Sequence, residues 1–335
     1  MSKDSYRQKE DYIFASGRVR VYEKRLIEAR QMRQFLESSS FEEAMRLFRE
    51  SSYGKSLDPG AGLAEAEQAL RQERQRLFRD LEEAAPGSPV LQLISAQDRY
   101  HNLKVLVKEV LLGEEMDQLF VERGGVDLAY FENLLRYPAK NPEESLEEKA
   151  LADLLRHFNE HQDLQVSEFI LDRAMWAEMS AIAKDLDSPL ISQWLEQQID
   201  LYNLTVYWRM QKQGESETRL SQALAEGGSL NPEKLRQSFV QGELPATKNS
   251  DEANLIRLIK LMGEPDGASR LEKLRDEASI AFAKEARDVT YGPEVLFGYY
   301  LTREMEMTNL RILLISLASG LNEERRLERL RQLPR

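Results

Sequence analysis

The chain has 335 residues, a net charge of −12 and a charged fraction of 31%, and it contains no cysteine. The lack of cysteine excludes disulfide bonds, Cys-based zinc sites and Cys nucleophiles. No basic block and no apolar run of about 18 residues occurs, so we expect neither nucleic-acid binding nor a membrane span. Residues 1–12 lack the apolar core of a signal peptide, which favours a cytoplasmic protein.

Helix is predicted along nearly the whole chain, because Ala, Leu, Glu, Gln, Arg and Lys dominate it and no run has strand periodicity. Val19, Tyr22, Leu26 and Ala29 recur at helical period and predict one helical face. Ser40 to Glu43 form a capping box that opens the next helix. Short breaks are predicted at 53–62, 85–89, 136–142, 241–250 and 263–267, and Asn141-Pro142-Glu143-Glu144 reads as a further helix start.

Two motifs resemble functional sites, a phosphate-binding loop and a zinc site, but each lacks residues that the site requires. Tyr53-Gly54-Lys55-Ser56 looks like the end of a phosphate-binding loop, but Arg49 stands where the motif needs Gly, so a turn is predicted. His157 and His161 could share a helix face, but a zinc site needs a third or fourth ligand. We therefore expect two solvated histidines on a polar helix end, and we predict no cofactor and no metal.

Three segments of the chain share one pattern around an Asn-Leu pair. In each, a glycine follows eleven residues after the Asn, an acid precedes the Asn by three or four residues, and a small residue followed by Pro lies upstream. The pairs are Asn102-Leu103, Asn203-Leu204 and Asn309-Leu310; the glycines Gly113, Gly214 and Gly320; the acids Asp98, Asp200 and Glu306; and the upstream residues Ser88-Pro89, Ser188-Pro189 and Gly292-Pro293.

Each segment is predicted to be one helix, with the small residue as its cap, Pro in its first turn and Gly in the left-handed position after its last turn. Apolar stripes at helical spacing support this in the first and third copies, while the second is weaker and runs from Leu204 through Tyr207 and Trp208 to Gln211. The first two copies also share a later Gly-Gly, at 124–125 and 227–228.

The acids and asparagines allow two interpretations. A catalytic role predicts one special copy, whereas the three copies look alike. Acid and Asn lie three or four residues apart, so they share a helix face and could hydrogen-bond a neighbouring helix and fix its register. We favour this structural interpretation. The copies predict three helical repeats, 1–120, 121–223 and 224–335, which we expect to close around an axis; a rod-like solution-scattering profile would contradict that.

The chain resembles a known family at its two ends. Residues 291–312 read Tyr-Gly-Pro-Glu-x-Leu-x(3)-Tyr-x(3)-Glu-x-Glu-x(2)-Asn-x-Arg-Ile, which is similar to the C-terminal signature of the C (or d) subunit of V-type and archaeal-type rotary ATPases. Tyr12, Arg18-Val19-Arg20, Ser40 to Ala44 and Tyr53-Gly54 resemble that family's opening. The middle copy departs from the pattern, because Thr205 stands at the position of Arg311.

The resemblance implies an all-α funnel of three similar subdomains with pseudo-threefold symmetry. It implies a non-catalytic central-stalk subunit, peripheral to the membrane on the cytoplasmic side, that couples the rotor shaft to the membrane proteolipid ring. Synthesis or hydrolysis of ATP, and proton or sodium transport, both stay open. The alternatives are a generic all-α adaptor that binds partner helices and an all-α enzyme with paired acids. Loops 136–142 and 241–250 allow two interpretations, contacts with partner subunits or linkers without a binding role, and the sequence favours neither.

Overall fold

The protein is all-α across the residues that the computed structural model describes, which are 6, 8–121, 127–137, 145–242 and 267–331. This part contains no strand, as the sequence predicted. Single turns of 3-10 helix lie at Lys9–Tyr12, Glu23–Arg25 and Asp117–Leu119. The helices are α1 (Ile13–Tyr22), α2 (Ala29–Glu37), α3 (Phe41–Glu50), α4 (Leu63–Ala84), α5 (Pro89–Leu112), α6 (Leu128–Arg136), α7 (Leu146–His161), α8 (Leu164–Asp185), α9 (Pro189–Gln213), α10 (Glu217–Ala223), α11 (Pro232–Gln241), α12 (Gly267–Arg287), α13 (Pro293–Ala318) and α14 (Glu323–Arg329).

The chain divides into two compact units. The terminal unit joins Met1–Leu91 to Asp276–Arg335, and the central unit is Gln92–Arg275. Both boundaries fall inside helices, α5 and α12. A division by compactness does not test a sequence repeat, so the three repeats with boundaries at 120 and 223 stay a prediction.

Helix α13 is the centre of the terminal unit and contacts α1, α2, α3, α4 and α14. Most of its side chains are buried, and they lie on every face of the helix, as expected for a helix enclosed by others. Its Gly298 allows a close approach to α12, because a Cβ there would lie 2.6 Å from the Cβ of Ala286. The N-terminal and C-terminal parts of the chain thus share one core.

The central unit is built on α8, which packs against α7, α9 and α10, while α11 covers α9 and α10. Its apolar core joins α8 through α11. The buried members are Val166, Phe169, Leu201, Leu204, Val206, Tyr207, Met210, Leu220, Ala223, Leu224, Leu230 and Leu235.

Two local predictions are confirmed. Ser40 caps α3, where its hydroxyl accepts a hydrogen bond from the Glu43 amide at 3.2 Å. Residues 52–56 form a turn, in which a Cβ on Gly54 would lie 2.4 Å from the Phe48 carbonyl oxygen, so glycine is required there. The predicted helix start at Asn141 to Glu144 lies outside the described residues, as does most of the predicted breaks at 136–142, 241–250 and 263–267.

The helical face predicted from Val19 to Ala29 is wrong as a single element. Helix α1 ends at Tyr22, a 3-10 turn follows, and α2 begins only at Ala29. Leu26 itself is extended, with φ −64° and ψ 146°. Side chains of α13 bind the backbone between the two helices, and these tertiary contacts override the local periodicity.

Candidate functional site

The three copies of the repeated pattern occupy the three longest helices among the described residues, α5, α9 and α13. Each helix begins at the repeated proline. Ser88 and Ser188 accept hydrogen bonds from the amides of Val90 and Ile191, at 3.2 and 3.3 Å. The third copy has Gly292 instead, with φ +141°, because a Cβ there would lie 2.3 Å from the carboxylate of Glu294.

The three helices also end alike. Gly113, Gly214 and Gly320 have φ values of +71°, +69° and +70°. This left-handed conformation is cheap for glycine and strained for other residues, so it turns the chain after the last helical turn.

Each Asn of the pattern clamps a returning piece of backbone. Asn203 donates from Nδ2 to the Ala225 carbonyl and accepts from the Ala225 amide at Oδ1, both at 2.8 Å. Asn309 makes the same pair with Arg331 at 2.9 and 2.8 Å. Asn102 makes it with Val121 at 2.7 and 2.8 Å. We call each such pair of hydrogen bonds an asparagine clamp.

The clamped residue follows the same local structure in all three copies. A short helix, Asp117–Leu119, α10 or α14, comes after the glycine, and the next residue is extended. These extended residues have nearly equal dihedral angles (φ, ψ): Phe120 (−69°, 141°), Leu224 (−66°, 134°) and Leu330 (−64°, 146°). The partner of each Asn is therefore an extended backbone segment and not the neighbouring helix that the sequence suggested.

The first two copies add a contact that the third lacks. His101, before Asn102, hydrogen-bonds the Leu119 carbonyl at 2.9 Å, and the Tyr202 hydroxyl donates to the Ala223 carbonyl at 3.1 Å. Thr308 occupies this position in the third copy and lines a surface groove instead.

The leucine after each Asn is fully buried. Leu103, Leu204 and Leu310 are 0% exposed, and the stripe that seemed weak in the second copy continues through Tyr207 and Met210, also 0% exposed. Trp208 is half-buried and packs against the same core, whereas Gln211 is exposed. The second copy thus keeps a complete core face in which an aromatic and a methionine replace aliphatic side chains.

The acids have different surroundings. Asp98 is half-buried, whereas Asp200 and Glu306 are buried. Asp200 accepts hydrogen bonds from the Ser229 amide and hydroxyl and from the Leu230 amide, at 3.1, 2.5 and 2.9 Å. A Cβ on Gly228 would lie 2.2 Å from Asp200, which explains one glycine of the Gly-Gly pair at 227–228. The other pair, 124–125, lies outside the described residues.

Burial raises the pKa of Asp200, and the hydrogen bonds from Ser229 and Leu230 oppose that rise. The Asp200 carboxylate of α9 binds the segment 229–230, which follows α10, through three hydrogen bonds.

Glu306 is 0% exposed and binds three different parts of the terminal unit. Its carboxylate accepts from the Ile27 amide at 2.8 Å and from the Tyr53 hydroxyl at 2.7 Å. Arg303, one turn earlier on α13, lies 3.7 Å away. Burial and the charge of Glu306 raise the pKa of Tyr53 well above its ordinary value, so the phenol stays a donor.

Arg303 completes a buried cluster of charges. It pairs with Glu73 of α4 at 2.5 Å, donates to the Arg25 carbonyl at 3.3 Å, and lies 4.4 Å from the centre of the Tyr53 ring. Arg303 therefore donates to the Arg25 carbonyl, and Glu306 accepts from the Ile27 amide. These two backbone groups flank Leu26. These bonds hold that backbone out of a helix and explain the break between α1 and α2.

The two histidines predicted to share a helix face lie side by side on α7. His157 and His161 stack with ring centroids 4.6 Å apart on α7, and His157 is half-buried, so only His161 is solvated as expected. Over the described ranges, no three His, Asp or Glu side chains gather as a metal site would require. In the same part of the chain, no helix combines the length and apolarity that crossing a membrane would need.

Sequence reasoning missed Arg303 and Tyr53 as partners of Glu306, and Glu73 as the partner of Arg303. One signal was available, because Arg303 precedes Glu306 by three residues and so shares its helix face. The spacing from Glu306 to Tyr53, 253 residues, offered no such signal.

The geometry defines a class of protein: an all-α chain in which one helix-glycine-clamp unit occurs three times. The family model of the ATP synthase (C/AC39) subunit matches residues 15–329. The chain belongs to this family, the C subunits of V-type ATP synthases.

Individual relatives resemble the chain over nearly its full length. The C subunit of the V-type sodium ATPase of Enterococcus hirae is 27% identical, over 94% of this chain and 96% of its own length. The C subunit of the V-type ATP synthase of Thermus thermophilus is 24% identical, over 91% and 93%. The C subunit of the A-type ATP synthase of Methanococcoides burtonii is also 24% identical, over 94% and 92%.

Proposed function

We propose that the protein is a non-catalytic central-stalk subunit that couples the rotor shaft of the ATPase head to the proteolipid ring in the membrane. The observation that carries this proposal is the family match, which spans residues 15–329. The subunit would be peripheral to the membrane on the cytoplasmic side. It would serve ATP-driven or ATP-producing transport of protons or sodium.

A coupler that transmits torque must resist deformation between its two contacts. Close-packed helices supply stiffness, because interiors have low compressibility. The three asparagine clamps and the Arg303 cluster add polar bonds in buried surroundings, where an opened bond leaves an unsatisfied group. We propose that each clamp, with its leucine, glycine and acid, fixes how the segment after the helix returns onto it.

The arrangement of the three copies in a funnel with pseudo-threefold symmetry belongs to the same proposal. Its support is the threefold occurrence of the unit from Pro to clamp, which is a property of each copy by itself. Residues that would contact the shaft or the ring are not assigned by the repeat, because its members are mostly buried.

The proposal is tested by purifying the tagged full-length protein from membranes under mild detergent and identifying its partners by mass spectrometry. We expect rotor-shaft and proteolipid subunits in fixed stoichiometry. Recovery of neither, with other proteins bound through helices, would instead support the generic adaptor.

A further inference from the structure

One surface of the terminal unit has a charge opposite to that of the chain as a whole. A groove of about 510 Å³, partly open to solvent, lies between α4 and α13. Five arginines and one glutamate line it: Arg71, Arg74, Arg311, Arg329, Arg331 and Glu67. We call it the arginine groove. The whole chain carries a net charge of −12, so this concentration of cations is a local feature.

Acids of the same unit satisfy three of these arginines. Arg74 pairs with Glu304 at 2.8 Å, Arg311 with Glu67 at 3.2 Å, and Arg331 with Asp276 at 2.5 Å. Arg71 and Arg329 are exposed and have no acidic partner within the described residues. Within the described ranges, the groove therefore has two cations without an acidic partner, and Arg311, with a side chain 64% exposed, pairs with the single carboxylate of Glu67.

The floor of the groove is apolar. Ile312 and Ile315 are half-buried and, with Thr308, follow an i, i+4, i+7 spacing along α13. The other face of the same helix carries Leu310, Leu313, Leu314 and Leu317 into the core. The third motif helix thus presents a second, outward apolar stripe between the arginines.

We propose that the arginine groove binds an acidic amphipathic helix of another subunit of the complex, which rests on the function proposed above. An amphipathic helix covers an apolar stripe with its own apolar face and brings carboxylates to the flanking arginines. A lone anionic headgroup would pair with Arg71 or Arg329 but would leave the Ile312–Ile315 stripe in water. Charge complementarity and the apolar floor together select a protein helix.

The first test reverses the two unpaired charges in the full-length tagged protein, as R71E/R329E. The matched control is R30E/R33E, which changes two exposed arginines of α2 that also lack an acidic partner in the described part of the chain. Subunits that remain bound are measured at low and high salt. We expect the groove variant to lose partner binding by roughly tenfold at low salt, while the control matches wild type.

The second test places a photo-crosslinking phenylalanine at Ile315 in the purified complex. A crosslinked peptide with acidic residues at helical spacing supports the proposal, and a neutral or basic peptide or a lipid overturns it. Equal partner binding by R71E/R329E and wild type also overturns it. If wild type itself binds no other component of a rotary ATPase, the proposed function fails, which is a different result from failure of the groove variant alone.

Discussion

The second and third copies of the repeated unit use their acids over very different distances along the chain. In the central unit, Asp200 binds Ser229 and Leu230, which follow it by about 30 residues. In the terminal unit, Glu306 binds Ile27 and Tyr53, which precede it by more than 250 residues. The asparagine clamps beside them are the same, with a separation of 22 residues in both copies.

This contrast separates two roles within one motif. The asparagine clamp is a local contact, because in each helix the Asn binds backbone that follows it by 22 residues. The acid has different partners in the two copies. In α13, Glu306 binds the N-terminal part of the chain at Ile27 and Tyr53. Contacts of high sequence separation cost more loop entropy to form. In the terminal unit, such contacts are made by Glu306 and by its buried neighbour Arg303.

Removing the cation of that cluster should have the largest effect. Arg303→Met leaves the buried Glu306 without its counter-ion and leaves the half-buried Glu73 with only Arg76, at 3.7 Å. We expect a loss of about 3–5 kcal/mol in the free energy of unfolding of the terminal unit. Far-UV circular dichroism reports helix throughout the chain. All three tryptophans, Trp176, Trp194 and Trp208, lie in the central unit, so the shift in urea midpoint should be larger by circular dichroism than by tryptophan fluorescence.

The matched control for Arg303 is Arg46→Met, because Arg46 pairs with Glu50 on the exposed surface of α3. An exposed pair contributes about 0.5 kcal/mol or less, so this variant should unfold like wild type. Equal midpoints for R303M and R46M would refute a stabilising role for the cluster.

Asp200→Ala should have the next largest effect, and in the other unit. It leaves the amides of Ser229 and Leu230 without an acceptor, and we expect a loss of about 2–3 kcal/mol. Here tryptophan fluorescence should report the shift at least as strongly as circular dichroism. If the midpoint shifts by circular dichroism and by tryptophan fluorescence stood in the same ratio for D200A and R303M, the assignment of the two acids to separate units would be contradicted.

The clamps should have smaller and equal effects in the two units. Asn203→Leu leaves the buried amide and carbonyl of Ala225 unpaired, and Asn309→Leu leaves those of the half-buried Arg331 unpaired. We expect each change to cost about 1–2 kcal/mol. Chemical denaturation of both variants measures this directly. Strongly unequal losses would show that the clamps, like the acids, have diverged in role.

The smallest expected effect is a dependence on pH. Since burial raises the pKa of Asp200 in the folded state, that state binds the proton more tightly than the unfolded chain does. Its contribution to stability is therefore greatest below the unfolded pKa of about 3.9 and is lost as pH rises through the folded pKa. Asp200→Asn, which cannot titrate, should lose less stability over that pH range than wild type. Parallel pH profiles would exclude this titration.

Local signals predicted much of this structure from the sequence. The prolines and glycines fix where α5, α9 and α13 begin and end, because φ at these positions depends on the residue itself. The break after Tyr22 was missed, because its cause is the long-range binding of the Ile27 amide by Glu306. The arginine groove was not predicted either, because Arg71 and Arg329 lie far apart in the sequence and line the same groove only in the folded chain.

The central claim is that this protein couples the ATPase head to the membrane ring. The most direct test deletes its gene and measures ATP-driven ion uptake into membrane vesicles, assayed for protons and for sodium, with re-expression of wild type as the control. The account predicts that uptake is lost while the remaining head still hydrolyses ATP, and that re-expression restores uptake. Normal uptake without the protein, with the catalytic head assembled on the membrane, would contradict it.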